Sequence, residues 1–131
     1  MIGTPRLRNA ARSGLFDVLS HPDLVKFFGH RADAETTHYV YEETADAVEA
    51  AGVCAEISTK GLRVPVGELY PHPDLLQAFQ SRGVPITLAS DAHVPDDVGR
   101  DIGDAVALAR SAGYATVTVF DGRSRRQEPL G

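Results

Sequence analysis

Gly83-Val84-Pro85-Ile86-Thr87-Leu88-Ala89-Ser90-Asp91-Ala92-His93 is an apolar run that stops abruptly at a carboxylate and an imidazole two residues apart. The pattern predicts a short buried β-strand whose last residues step out into a loop. Side chains alternate along extended chain, so Asp91 and His93 point the same way. Carboxylate oxygen with imidazole nitrogen suits Zn²⁺, Mn²⁺ or Fe²⁺. The competing reading is a helix cap, with Ser90 or Asp91 closing the turn and His93 merely exposed.

Outward from this stretch the chain repeats itself. Gly14, Gly52, Gly83 and Gly113 each follow a helical pattern and precede an apolar segment: Leu15–Ser20, Val53–Ser58, Val84–Ala89 and Tyr114–Phe120. Tyr41, Ala45, Val48 and Ala51 fall at i, i+4, i+7 and i+10, and Ile102, Ala105, Val106 and Ala109 at i, i+3, i+4 and i+7. Leu75, Leu76 and Phe79 give a shorter helical stripe opened by Pro73. Glycine just past a helix can turn the chain towards its next strand. Helix–Gly–strand, four times over, predicts parallel strands with right-handed crossovers, whose carboxyl ends gather ligands.

Those ends supply His21, then Ser58-Thr59-Lys60, then Asp91 and His93, then Asp121. Metal ligands converging on one face outweigh the cap. A full eight-unit barrel takes about 250 residues, and this chain has 131. The expectation is a partial (β/α) barrel over residues 1–121, with unpaired edges that need cover. Residues 122–131, polar and holding Arg123, Arg125 and Arg126, are expected to form a frayed, solvated tail.

Composition bounds the function. With 43% hydrophobic and 24% charged residues the chain suits one globular domain. No apolar run reaches membrane-spanning length and no signal-peptide core follows Met1–Arg12, which points to a cytoplasmic protein. A net charge of −5 argues against a nucleic-acid surface. The single cysteine, Cys54, reads as a buried structural thiol. His30 and His38 read as exposed, and His72, within Pro71-His72-Pro73, as a cap or turn residue. Glu56 shares a strand face with Cys54 and Ser58, as either a functional interior group or an edge-strand charge.

Phe16–Lys26 with His21-Pro22-Asp23, Ala55–Arg63, Leu69-Tyr70-Pro71, and Ser90-Asp91-Ala92-His93 with Asp96–Gly99 carry a family resemblance. In order and spacing they resemble the C-terminal half of the PHP (polymerase and histidinol phosphatase) superfamily, on its histidinol-phosphatase branch. The resemblance implies a distorted TIM-like barrel that binds divalent metal ions (zinc, manganese or iron) and hydrolyses a small phosphate monoester. It implies metal-ligand roles for His21, Asp91 and His93 and a substrate-phosphate role for Arg63. Asp23 and Asp121 are candidates to orient imidazoles by accepting their other N–H, and no general acid is identifiable. The family's N-terminal half, with its His-x-His pair and further His and Glu ligands, has no counterpart here. The expectation is therefore weak metal binding and little activity alone, with cover from a homo-oligomer or a complementing N-terminal half-barrel. A non-catalytic metal- or phosphate-binding or oligomerisation module is the alternative.

Overall fold

Residues 3–131 are described in the computed structural model. The order is α1 (Gly3–Arg12), β1 (Val18–Leu19), α2 (Ala34–Ala51), β2 (Cys54–Ser58), α3 (Pro73–Ser81), β3 (Ile86–Ala89), α4 (Ile102–Ser111), β4 (Thr116–Asp121) and β5 (Ser124–Pro129). Short 3-10 turns follow β1 at Leu24–Lys26, β2 at Thr59–Arg63 and β3 at Pro95–Asp97. Every expected helix–Gly–strand unit is present, and all four junction glycines have positive φ. At Gly52 the reason is visible: in the left-handed conformation its N–H closes α2 on the carbonyls of Val48 and Glu49.

The first three strands form a parallel sheet in the order β1-β2-β3, with Val18 opposite Cys54 and Ser58 opposite Ala89. All three strands therefore end at the same edge, where the residues after them emerge. The helical stripes bury as their spacing requires. Tyr41, Ala45 and Val48 of α2 join Leu75 and Phe79 of α3 around Leu19, Ala55 and Val84. A second cluster gathers Ala105 and Ala109 of α4 with Ile57, Leu76 and Ile86. The helix α2 begins earlier than its apolar stripe, at Ala34, because Asp33 caps it by accepting the Thr36 N–H at 2.8 Å.

The fourth unit departs from the expectation. Strand β4 does not join the parallel sheet but pairs antiparallel with β5, from Thr116 opposite Pro129 to Asp121 opposite Ser124. The expected tail at 122–131 is thus the second strand of a hairpin, and its Leu130 is buried in the α4 cluster. Two residues join the strands, and Gly122, the first of them, has a φ of 58° that L side chains rarely adopt. The hairpin tip lies at the amino edge of the sheet, where Arg123 holds Asp17 through two hydrogen bonds of 2.9 and 3.1 Å. The architecture is α/β with a short parallel sheet, compatible with part of a (β/α) fold. Among the described residues no helix is long and apolar enough to cross a membrane.

Candidate functional site

The carboxyl edge of the sheet collects residues from three loops. After β1 the chain turns sharply at His21, whose φ is 32°. Its N–H donates to Glu56 Oε1 at 3.2 Å, and the Ser20 hydroxyl donates to Glu56 Oε2 at 3.3 Å. Glu56, half-buried on the β2 face predicted by alternation, accepts both bonds and so fixes the tip of β1. After β3 the chain turns at Asp91, with a φ of 49°. Non-glycine residues held in such conformations cost on the order of 1–3 kcal/mol each and persist where surrounding contacts over-determine them. Two of them stand at the tips of the two strands that flank β2.

His93 is exposed, and its Nδ1 lies 2.8 Å from the Asp91 carbonyl oxygen. The tautomer that donates this bond carries its proton on Nδ1, leaving the Nε2 lone pair free to act as a ligand or base. Tyr70 closes the floor. Its backbone bridges Ser58 at the end of β2, and its fully buried ring meets the His21 ring edge-on at 6.3 Å between centroids. Burial, then the carboxylates of Asp23 and Asp91, push the phenol pKa up, so it remains a hydrogen-bond donor. Among the described residues its hydroxyl has no hydrogen-bond partner.

Beneath Tyr70 lies a buried ion-pair network. Lys26 Nζ is 2.9 Å from Asp23 and 3.4 Å from Glu68, donates to the Leu69 carbonyl at 3.0 Å, and sits 5.3 Å from the Tyr70 ring centroid. Glu68 also pairs with Arg31. Burial raises the Glu68 carboxyl, but Lys26 and Arg31 outweigh it and hold its pKa below the usual carboxylate range. Asp23, expected behind an imidazole, instead accepts from Lys26 and from the His72 backbone N–H at 2.8 Å. His72 caps α3, its ring Nδ1 accepting the Asp74 N–H at 3.2 Å. His30 and His38 are exposed, as their polar surroundings suggested.

Arg63 reaches across from the turn after β2. It donates to the Thr59 carbonyl and hydroxyl at 3.4 and 3.3 Å, to Asp101 at 3.4 Å and to the Ser90 carbonyl at 2.5 Å, and its Nε lies 3.5 Å from Asp97. Its side chain is only 11% exposed. Asp121 is the residue the fold removes: exposed at the end of β4, it lies two residues from Arg123 at the opposite edge of the sheet. It cannot orient an imidazole at the tips.

The parallel sheet thus brings His21, Asp91, His93 and Arg63 to one edge. It does not gather a coordination sphere: among the described residues no group of three His, Cys, Asp or Glu side chains is placed to hold a metal ion. The donor types suit a divalent metal, but their placement within this chain does not. A cavity of about 310 Å³ opens beside the tips, between the turn after β1 and the amino ends of α2 and α3. Asp23, Lys26, Tyr41 and His72 line it; His21, Arg63, Asp91 and His93 do not. Alternation placed Glu56 on its strand face but left open whether it is an interior group or an edge-strand charge, whereas Tyr70 lies in an irregular segment where periodicity says nothing.

No family model matches the chain. A protein of Deinococcus radiodurans named probable histidinol-phosphatase is 43% identical over 123 residues. The aligned region takes in 94% of this chain and 45% of that protein. This chain is its relative. It spans about half of the relative's length, and the resemblance drawn from the strand-tip motifs points the same way.

Proposed function

We propose that the chain is the strand-tip half of a phosphomonoesterase similar to histidinol-phosphatases, acting on a small phosphorylated substrate. The observation that carries this reading is the 43% identity sustained over 94% of the chain. Hydrolysis of a phosphate monoester needs an activated water and relief of charge on the phosphoryl oxygens. His21, Asp91 and His93 are the residues we assign to that site as contributors to a divalent-metal donor set. Glu56 fixes the backbone of the first, and the Asp91 carbonyl sets the tautomer of the last.

The described residues do not complete a metal centre, so the remaining donors must come from elsewhere. The part of the relative's length that these residues do not span is the source we favour over a second copy. Taken alone, these residues are then a non-catalytic module, and activity requires that remaining part.

The test is release of inorganic phosphate from histidinol phosphate. The chain is assayed alone and mixed with a polypeptide comprising the remaining length of the Deinococcus relative, with manganese or zinc added. The expected result is no turnover alone, turnover on mixing, and its loss with Asp91→Ala. Turnover by the chain alone would show that its own donors suffice, and none on mixing would overturn the reading. Light scattering on the isolated chain decides between complement and second copy.

A further inference from the structure

We propose that Tyr70 is a positioning residue for the strand-tip site, its ring fixing the direction in which the His21 imidazole points. This rests on the reading above only in taking His21 as a site residue.

The hydrogen bond that holds His21 uses its backbone. Its N–H donates to Glu56 and its φ of 32° sets the turn after β1, but neither fixes the side-chain torsions. An imidazole that serves as a ligand is ordinarily oriented by a carboxylate or carbonyl that accepts its other N–H. The carboxylates expected in that role are engaged elsewhere. Asp23 accepts from Lys26 and from the His72 N–H, and Asp121 lies near Arg123 at the far edge of the sheet. What meets the His21 ring is Tyr70, at 6.3 Å between centroids and 65° between planes. In such edge-to-face pairs the positive edge of one ring meets the negative face of the other.

A neighbour can orient a ring only if it is itself held. The Tyr70 backbone exchanges hydrogen bonds of 2.8 and 3.0 Å with Ser58 at the end of β2. The Lys26 ammonium, paired with Asp23, stands 5.3 Å from the ring centroid. Against Gly61 the fit is so close that a Cβ there would come within 3.2 Å of Tyr70 Cε2. The ring is fully buried. None of these contacts uses the hydroxyl, so the ring and not the phenol carries the role. Another histidine–tyrosine pair, Tyr41 with His72, stacks at 30° away from the strand tips and serves as an internal comparison.

The test compares wild type with Tyr70→Phe, which keeps the ring, and Tyr70→Leu, which removes it. The carbon-bound imidazole protons are followed by NMR, with His21 assigned by loss of its signals in His21→Asn. The expected result is a nuclear Overhauser contact between the two rings in wild type, kept in Tyr70→Phe. In Tyr70→Leu the His21 signals move towards those of free histidine, while the His72 signals stay in place. The manganese dependence of the mixing assay supplies a second readout. The concentration for half-maximal turnover should rise about 10- to 100-fold in Tyr70→Leu and stay at the wild-type value in Tyr70→Phe. A tyrosine that only stabilised the fold would lower the melting temperature and leave that concentration unmoved.

Absence of the ring contact in wild type, unmoved His21 signals in a folded Tyr70→Leu, or an unchanged manganese requirement in that variant would each overturn the inference. So would loss of the contact in Tyr70→Phe, which decides the matter if Tyr70→Leu does not fold. Failure of the phosphatase reading is separate: it shows as no turnover on mixing, while the ring signals still decide what orients His21.

Discussion

At Tyr70 a fully buried phenol finds no hydrogen-bond partner for its hydroxyl among the described residues. A buried hydroxyl left unpaired costs about 1–3 kcal/mol, and phenylalanine fills the same shape without that cost. Tyr70→Phe is therefore expected to raise the unfolding free energy by about 1 kcal/mol in urea denaturation; a loss would mean the hydroxyl is bonded in solution. Lys26 presents the opposite case, since its ammonium is enclosed by Asp23, Glu68 and the Leu69 carbonyl. Removing one partner of a buried pair strands the other, typically at about 3–5 kcal/mol. Lys26→Met should lose stability on that scale, and Asp23→Asn/Lys26→Met should recover part of it. Additive losses in this cycle would show that the pair is not coupled. At this scale alternation placed Glu56 on its strand face, and it stops at Asp91, where the backbone turns left-handed beyond the end of β3. It was silent on Tyr70 and Lys26, whose partners lie in distant irregular segments.

Among the elements, the turn after β2 is the most tightly constrained. A Cβ on Gly61 would lie 1.8 Å from the Glu68 carbonyl oxygen and 3.2 Å from the Tyr70 ring. The obstructing atom is backbone, two residues before the bridge between Tyr70 and Ser58, so it cannot simply swing away. Gly61→Ala is expected to cost at least about 2 kcal/mol, measured by chemical denaturation; a cost below a few tenths would mean the two segments separate freely in solution. The helix–Gly–strand units were legible because each glycine stands where a helical stripe gives way to an apolar run. The hairpin was not recognised, although Asp121-Gly122 is itself a turn signal. Expecting another parallel unit hid it, and the arginines of β5 suggested solvent. That strand is indeed exposed on nearly every residue, and its place is secured by pairing with β4 and by Leu130.

For the molecule as a whole, the sequence left open how the sheet face opposite the helices is covered, because that depends on contacts between distant segments. The hairpin covers part of it at Cys54. Arg125 donates to the Gly52 carbonyl at 3.1 Å, and the thiol lies fully buried near Thr118. Burial pushes the Cys54 thiol pKa up to about 11, against smaller lowering effects from Thr118 and Arg125. A raised folded-state pKa means that the neutral thiol is the form the fold favours. Its contribution to stability is complete below the ordinary thiol range and is lost as pH rises through that range towards 11. At pH 8 a disulfide reagent such as dithionitrobenzoate should therefore react with Cys54 only as fast as the protein opens. Ending the chain at Asp121 removes Arg125, the partner strand of β4 and the buried Leu130 together. That truncation should either unfold the protein or, if the parallel sheet survives, make Cys54 label within seconds to minutes. Circular dichroism separates the two outcomes. Rapid labelling of the intact chain at pH 8, with its helices retained, would show instead that the hairpin is not closed over the sheet in solution.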